Sequence, residues 1–339
     1  MPRWLREQRA LQVGEKVGVD RQRVTSSSLA TASGLAAIAL WSTTIACSRT
    51  LTEQVGTFTA AASVYLAAGT IGCVWLVARG RLRAVLRENS PRYLIICGGL
   101  MVVYTALLYG AVGMSASREQ AIAVTVANYL WPCLTLTLAV PVLGWSCRAW
   151  LLILGSTVAM VGVALSLAGG NADAGNHWSV RELLPVLAAA VAAVAWAAYS
   201  NLSRLWGGAG AGGAVPIFLL ATGVGLASIR LGFREASAWS LTAIAQCAYM
   251  ALMPTLLAYA FWDFGVRRGN LALIAAASYL TPVFSVWISS ICWRLSLTRA
   301  QCAASILVVA GAVLCRLAIQ GASERVPRQA SAHADRSGS

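Results

Sequence analysis

The sequence predicts an all-α polytopic membrane protein with ten transmembrane helices, arranged as two inverted five-helix repeats around a central cavity. Three observations support this fold class. Of the 339 residues, 58% are hydrophobic and 11% are charged, which is more apolar surface than a water-soluble domain can hide. The apolar residues form blocks of about 20 residues, the length that crosses a bilayer. One proline-containing motif also occurs twice, in equivalent blocks.

Each apolar block is predicted to be a helix, because a segment in lipid must satisfy its backbone hydrogen bonds internally. Five blocks make up a first repeat, 29–168, and five make up a second repeat, 181–319, with an external linker at 169–180. The ten predicted spans are 29–48, 57–78, 93–115, 119–143, 149–168, 181–203, 214–232, 241–263, 270–292 and 299–319.

Charged residues are concentrated outside the apolar blocks. Residues 1–28 are basic and have no cleavable signal peptide, so we expect a cytoplasmic tail; the polar segment 320–339 is expected to be disordered. Only seven of the 26 Lys and Arg residues lie on the side opposite the termini. The positive-inside rule therefore predicts a multi-pass protein with both termini in the cytoplasm. The net charge of +14 follows this pattern and does not indicate a nucleic-acid partner.

Catalytic and metal-binding patterns are missing from the sequence. The nine cysteines are scattered singly without a CxxC pair, and the two histidines are His177 and His333. No HExxH, G-x-S-x-G or buried pair of aspartates occurs. We therefore expect no metal, no cofactor and no enzymatic activity. Small-residue faces such as Gly155, Ala159 and Gly162 can pack helices internally or form a dimer, and we expect a functional monomer.

The repeated motif is "ANYLWP" at 127–132 and "ASYLTP" at 277–282. Two homologous halves explain this duplication, and an odd number of spans in each half inverts the second. Pro132 and Pro282 have no N–H to donate, which is expected to kink both helices and to free the carbonyls of Asn128 and Ser278. Two kinks that face a central cavity are one interpretation; kinks closed by neighbouring helices are the other.

The order of several motifs resembles that of a known superfamily. "ALWST", "EQAIAV", "NYLWP", "GGN" and "SYLTP" are similar to motifs of the drug/metabolite transporter (DMT) superfamily with its EamA-type repeat, and to the YddG-type bacterial aromatic amino acid exporters within it. The resemblance implies a transporter that exports Phe, Tyr and Trp by alternating access. It implies candidate substrate-binding residues at Trp41, Tyr65, Tyr104, Asn128, Tyr129, Trp131, Trp196, Ser278 and Tyr279.

The residue types are compatible with that substrate. An aromatic zwitterion needs ring faces for its side chain and hydrogen-bonding groups for its charged head. A broad-specificity drug or metabolite exporter of the same superfamily is the alternative. Trp145, Trp150, Trp178, Trp206 and Trp239 are predicted to lie at the membrane interface. Asp263 and Arg267 are spaced for a helical ion pair, which leaves proton coupling and facilitated diffusion both open.

Overall fold

The computed structural model describes residues 27–115, 118–168, 180–207, 213–232, 234–293 and 299–320. Within these ranges almost every residue is helical. The predicted tails and external linker lie almost entirely outside them, and so does Trp178.

Eight α-helices form the first half of the described chain. They are α1 Ser27–Ser42, α2 Thr44–Val55, α3 Thr57–Ala78, α4 Leu82–Glu88, α5 Gly98–Met114, α6 Arg118–Asn128, α7 Trp131–Leu143 and α8 Ala149–Ala168. A π-helical segment, Tyr93–Cys97, leads directly into α5.

Seven α-helices form the second half. They are α9 Val180–Trp206, α10 Val215–Arg230, α11 Leu241–Met250, α12 Ala258–Arg268, α13 Leu271–Ala277, α14 Leu280–Trp293 and α15 Arg299–Ala318. A π-helical segment, Ala251–Leu257, joins α11 to α12. The short strands β1 (Ser146–Cys147) and β2 (Ile319–Gln320) pair antiparallel, so the connection between α7 and α8 contacts the end of α15.

Five helical stretches are long and apolar enough to cross a membrane: Thr57–Ala78, Tyr93–Met114, Val124–Leu143, Leu183–Trp206 and Leu241–Arg268. Shorter apolar helices occur at Ser27–Ser42, Ala149–Leu165, Val215–Arg230 and Cys302–Ala318. All of these fall on predicted spans, and the chain is an all-α polytopic membrane protein.

The repeated proline motif interrupts both helices at the same place. Turns at 129–130 and 278–279 separate α6 from α7 and α13 from α14. Pro132 is the second residue of α7, where a missing N–H removes no helical hydrogen bond. The expectation that the Ser278 carbonyl is free is wrong, because it accepts the N–H of Thr281 at 3.0 Å. The tightened, 3₁₀-like turn supplies this carbonyl with a local partner.

Helices α3 and α10 pack closely and antiparallel. A Cβ added to Gly69 would clash with the backbone of Leu220, and one added to Gly223 would clash with the backbone of Leu66. The contacts are reciprocal: residues 66 and 69 lie beside 223 and 220, in reversed chain order. Glycine is needed at both positions because any side chain would force the helices apart.

Helices α8 and α15 repeat this arrangement. A Cβ on Gly155 would meet the Gly311 carbonyl, and a Cβ on Gly162 would meet Val308. A Cβ on Gly311 would in turn meet the Ala159 backbone. The chain order is again reversed, so these helices are antiparallel too. This small-residue face therefore packs inside the chain.

A carboxylate from the loop after α10 caps the start of α3. Glu235 accepts the N–H of Phe58 at 2.9 Å and that of Thr59 at 2.8 Å, and its ion pair with Arg230 measures 3.3 Å. The residue before α3 is Gly56, which has no side chain to cap the helix. Glu235 therefore satisfies N–H groups that would otherwise lack partners.

Candidate functional site

A central cavity of about 390 Å³ lies between the helices of both halves. This volume is in the range typical of small-molecule sites. Its walls are formed by helices α1, α2, α3, α5, α6, α7, α9, α11, α12 and α14 and by the π-helical segment Ala251–Leu257. Seven of the nine predicted site residues line it: Trp41, Tyr65, Tyr104, Asn128, Tyr129, Trp131 and Trp196.

Trp196, on α9, is the centre of the aromatic wall. Its ring lies 5.7 Å from that of Trp41, 4.8 Å from that of Tyr104 and 6.3 Å from that of Trp131, measured between centroids. The contacts with Trp41 and Trp131 are edge-on, at interplanar angles of 73° and 79°. Four aromatic side chains from four helices thus hold one another in fixed orientations, and each such pair contributes about 0.5–1.5 kcal/mol beyond its burial.

Hydrogen bonds fix the polar atoms of this wall. The Trp41 indole N–H donates to the Pro254 carbonyl at 2.9 Å, inside the π-helical segment. The hydroxyls of Tyr65 and Tyr259 lie 2.6 Å apart. Pro254 was not among the predicted site residues, although a proline in the middle of a predicted span is a sequence signal that could have identified it.

Ser278 and Tyr279 do not line the cavity. The Ser278 hydroxyl donates to the Ile274 carbonyl at 2.8 Å. Tyr279 is fully buried beside Ser156 and Cys315, on helices α8 and α15. Position 281, in α14, follows position 279 by two residues, which is roughly 200° around a helix, so it faces the opposite side. Thr281 and Ser285, which sequence reasoning missed, line the cavity instead.

The predicted interfacial tryptophans differ in position. Trp150 and Trp239 are exposed, at 65% and 44%, as a membrane-interface residue would be. Trp206 is half-buried. The prediction for Trp145 is wrong: it is 7% exposed, and the Arg204 guanidinium lies over its ring at 5.9 Å. This tryptophan covers a cation inside the protein.

Below the aromatic wall lies a buried charge network. The Trp262 ring packs 5.3 Å from that of Trp131, and the next residue, Asp263, is 2% exposed. The predicted ion pair is confirmed, with Arg267 Nη1 3.0 Å from Asp263 Oδ2. Tyr93 and Tyr199 donate their hydroxyls to Asp263 Oδ1 at 2.9 and 3.2 Å. The network joins three separate parts of the chain.

This network separates the central cavity from a second one. The second cavity has a volume of about 210 Å³, and Asp263 and Arg267 line it together with Arg81 and Arg268. Trp262 packs against the aromatic wall of the central cavity, so residues 262 and 263 form a partition between the two spaces.

Metal-binding chemistry finds no support in the described part of the chain. No three His, Cys, Asp or Glu side chains there lie close enough to hold a metal ion. The eight cysteines whose side chains the structure describes are free thiols.

Apolar helices that enclose an aromatic, uncharged cavity in the middle of the fold define a small-molecule transporter of the polytopic membrane class. The sequence model of the EamA-like transporter family matches residues 183–317. An aromatic amino acid exporter, YddG, of Salmonella typhimurium is 32% identical over 86% of this chain and 98% of its own length. The chain belongs to the EamA-like transporter family.

Further relatives agree in name and extent. Aromatic amino acid exporters named YddG from Escherichia coli and Ancylobacter novellus are each 30% identical, over 85% and 86% of this chain and over 97% and 98% of their own lengths. A solved crystal structure superimposes with a TM-score of 0.70 at 27% identity, covering 86% of this chain and 97% of that chain.

Proposed function

We propose that the protein exports the aromatic amino acids Phe, Tyr and Trp across the inner membrane by alternating access. The observation that carries this proposal is the cavity around Trp196, whose ring faces and edges suit a flat aromatic side chain. The names of the relatives point to the same substrates.

The proposed architecture has ten spans in two inverted repeats. Antiparallel, reciprocal contacts between α3 and α10 and between α8 and α15 support it, because a two-fold axis in the membrane plane produces such pairs. The helix breaks at 129–130 and 278–279 support it as well, since they interrupt equivalent spans. The internal packing of the α8 glycine face supports a functional monomer.

The proposed orientation puts both termini in the cytoplasm and the central cavity open to the outside. Thr52, Thr57 and Val112 line the cavity near the ends of α2, α3 and α5 that point away from the termini. The partition at 262–263 closes the cytoplasmic side. Alternating access then requires Asp263 to separate from Tyr93 and Tyr199 while the outer end closes.

Within this proposal the nine predicted residues act in two ways. The seven that line the cavity contact the substrate. Ser278 and Tyr279 form the turn that orients α14 and so position Thr281 and Ser285.

Tryptophan flux into proteoliposomes containing the purified protein tests the function. We expect saturable uptake of radiolabelled tryptophan that phenylalanine competes. Trp196→Ala should abolish this uptake, because the Trp196 ring contacts the other three rings of the aromatic wall. Trp150→Ala is the control and should leave uptake intact, because Trp150 lies at an exposed interfacial position.

Three results change the interpretation. Absence of flux by folded wild-type protein contradicts aromatic amino acid export. Equal competition by planar cationic dyes favours the broad-specificity drug or metabolite exporter. Acceleration by an imposed pH gradient indicates proton coupling, and indifference to the gradient indicates facilitated diffusion.

A further inference from the structure

Three residues that line the cavity each carry a buried polar atom without a hydrogen-bond partner in the described chain. Thr281 and Ser285 line the cavity and are 7% and 1% exposed, and within the described chain neither hydroxyl has a hydrogen-bond partner. Oδ1 of Asn128, another lining residue, is also buried and unpaired. An unsatisfied buried polar atom costs about 1–3 kcal/mol, so these atoms require an explanation.

Other hydroxyls in the same helices show what Thr281 and Ser285 do not do. Thr105 donates to the Met101 carbonyl at 2.9 Å, and Thr135 donates to that of Trp131 at 2.7 Å. This bond to the carbonyl four residues earlier is the usual way in which a helix satisfies a hydroxyl. Thr281 and Ser285 lie four residues apart on one face of α14, line the cavity and make no such bond.

The chemistry of the cavity limits what the missing partner is. Every residue that lines it within the described ranges is uncharged. A net charge taken from water into such a site has no counter-charge and is costly. A hydroxyl can donate to a carboxylate and accept from an ammonium, whereas the Asn128 oxygen can only accept. These donors and acceptors therefore fit a compact head group that has both an ammonium and a carboxylate and no net charge, as the proposed substrates have.

We infer that Thr281, Ser285 and Asn128 form the head-group subsite, which binds the α-ammonium and α-carboxylate of the substrate while the aromatic wall holds its ring. This assignment rests on the proposed function and adds to it the residues that bind the head group of the amino acid. The Asn128 side chain lies beside the Tyr104 hydroxyl, so the subsite adjoins the aromatic wall. Recognition of the charged head group thus uses neutral side chains and no charged residue.

The test separates the head from the ring. In proteoliposomes we would measure the KM for tryptophan and the inhibition constant of indole, which has the ring without the head group. The variants are Thr281→Val and Ser285→Ala. The matched control is Thr222→Val, because Thr222 is also fully buried with an unpaired hydroxyl but does not line the cavity.

We expect each of the two cavity variants to raise the KM for tryptophan roughly ten-fold or more, the loss of one hydrogen bond to a charged group. Indole inhibition should stay within about two-fold, and the control should match wild type. Because the removed hydroxyl is unpaired without substrate, the melting temperature of Thr281→Val should be unchanged or higher.

The possible failures are distinguishable. If wild-type protein shows no tryptophan flux, the proposed function fails and the subsite fails with it. If wild type transports tryptophan but both cavity variants retain its KM, only the subsite is overturned. A parallel loss of indole inhibition, or a lowered melting temperature in Thr281→Val, assigns these hydroxyls to packing and also overturns the subsite.

Discussion

The Asp263–Arg267 pair is expected to dominate the stability of the partition between the two cavities. Their side chains are 2% and 5% exposed and 3.0 Å apart. At that distance and an effective dielectric constant of about 20, the direct attraction is about 5–6 kcal/mol before desolvation is subtracted. Replacing Asp263 by Asn leaves the Arg267 charge buried without its partner, and we expect the free energy of unfolding to fall by about 3–5 kcal/mol.

A double-mutant cycle isolates the pair. The variants are Asp263→Asn, Arg267→Met and the double substitution, and the measurement is the free energy of unfolding of purified protein in detergent micelles. The loss of unfolding free energy in the double variant should be about 1–3 kcal/mol smaller than the sum of the two single losses, because removing both charges leaves no unpaired buried charge. Additive losses would refute the reasoning, since they would mean that the two charges do not stabilise each other.

Three further perturbations test other parts of the structure. Gly69→Ala should lower the free energy of unfolding by about 1–3 kcal/mol, because the new methyl group forces α3 away from α10. Gly99→Ala, which has open space at its Cβ, should be neutral or stabilising. Equal melting temperatures for the two variants would contradict the close approach of α3 and α10. Partial desolvation raises the pKa of Glu235, but hydrogen bonds to the start of α3 outweigh it, so the pKa is lowered from its ordinary value. Its stabilising contribution is therefore complete above about pH 4.3 and is lost as the pH falls through the lowered pKa; in melting curves from pH 3 to 7, Glu235→Gln should lack that loss, and an unchanged acid profile would speak against it. Trp41→Phe keeps a ring but leaves the Pro254 carbonyl without its donor, so we expect a loss of about 1–3 kcal/mol in unfolding, while a wild-type melting temperature would show the bond to be dispensable.

Several features were predictable because they depend on short-range pattern. Asp263 and Arg267 are one helical turn apart, so their pairing needs nothing beyond α12 itself. The breaks before Pro132 and Pro282 follow from a residue that cannot donate an N–H. Seven of the residues that the family resemblance implied line the cavity, and six of these are aromatic residues within predicted spans.

Other features depend on how helices rotate and cross. Tyr279 belongs to the motif but faces α8 and α15, because the break before α14 sets which side of that helix meets the cavity. The bonds from Tyr93 and Tyr199 to Asp263 span 170 and 64 positions, a separation that no local pattern encodes. Trp145 is at a span end, yet it is buried, with the guanidinium of Arg204 from another helix lying over its ring.

Composition and periodicity by themselves determined that this chain crosses a membrane as helices, and the duplicated proline motif determined where two of those helices break. Both follow from local physics: apolar residues partition into lipid, and backbone groups there must be satisfied within their own segment. Only the tertiary structure decided which rings meet at Trp196, that residues 262–263 separate two cavities, and that Thr281 and Ser285 line the central cavity with unpaired hydroxyls. These features depend on how helices from distant parts of the chain pack and rotate against one another, which no local pattern specifies.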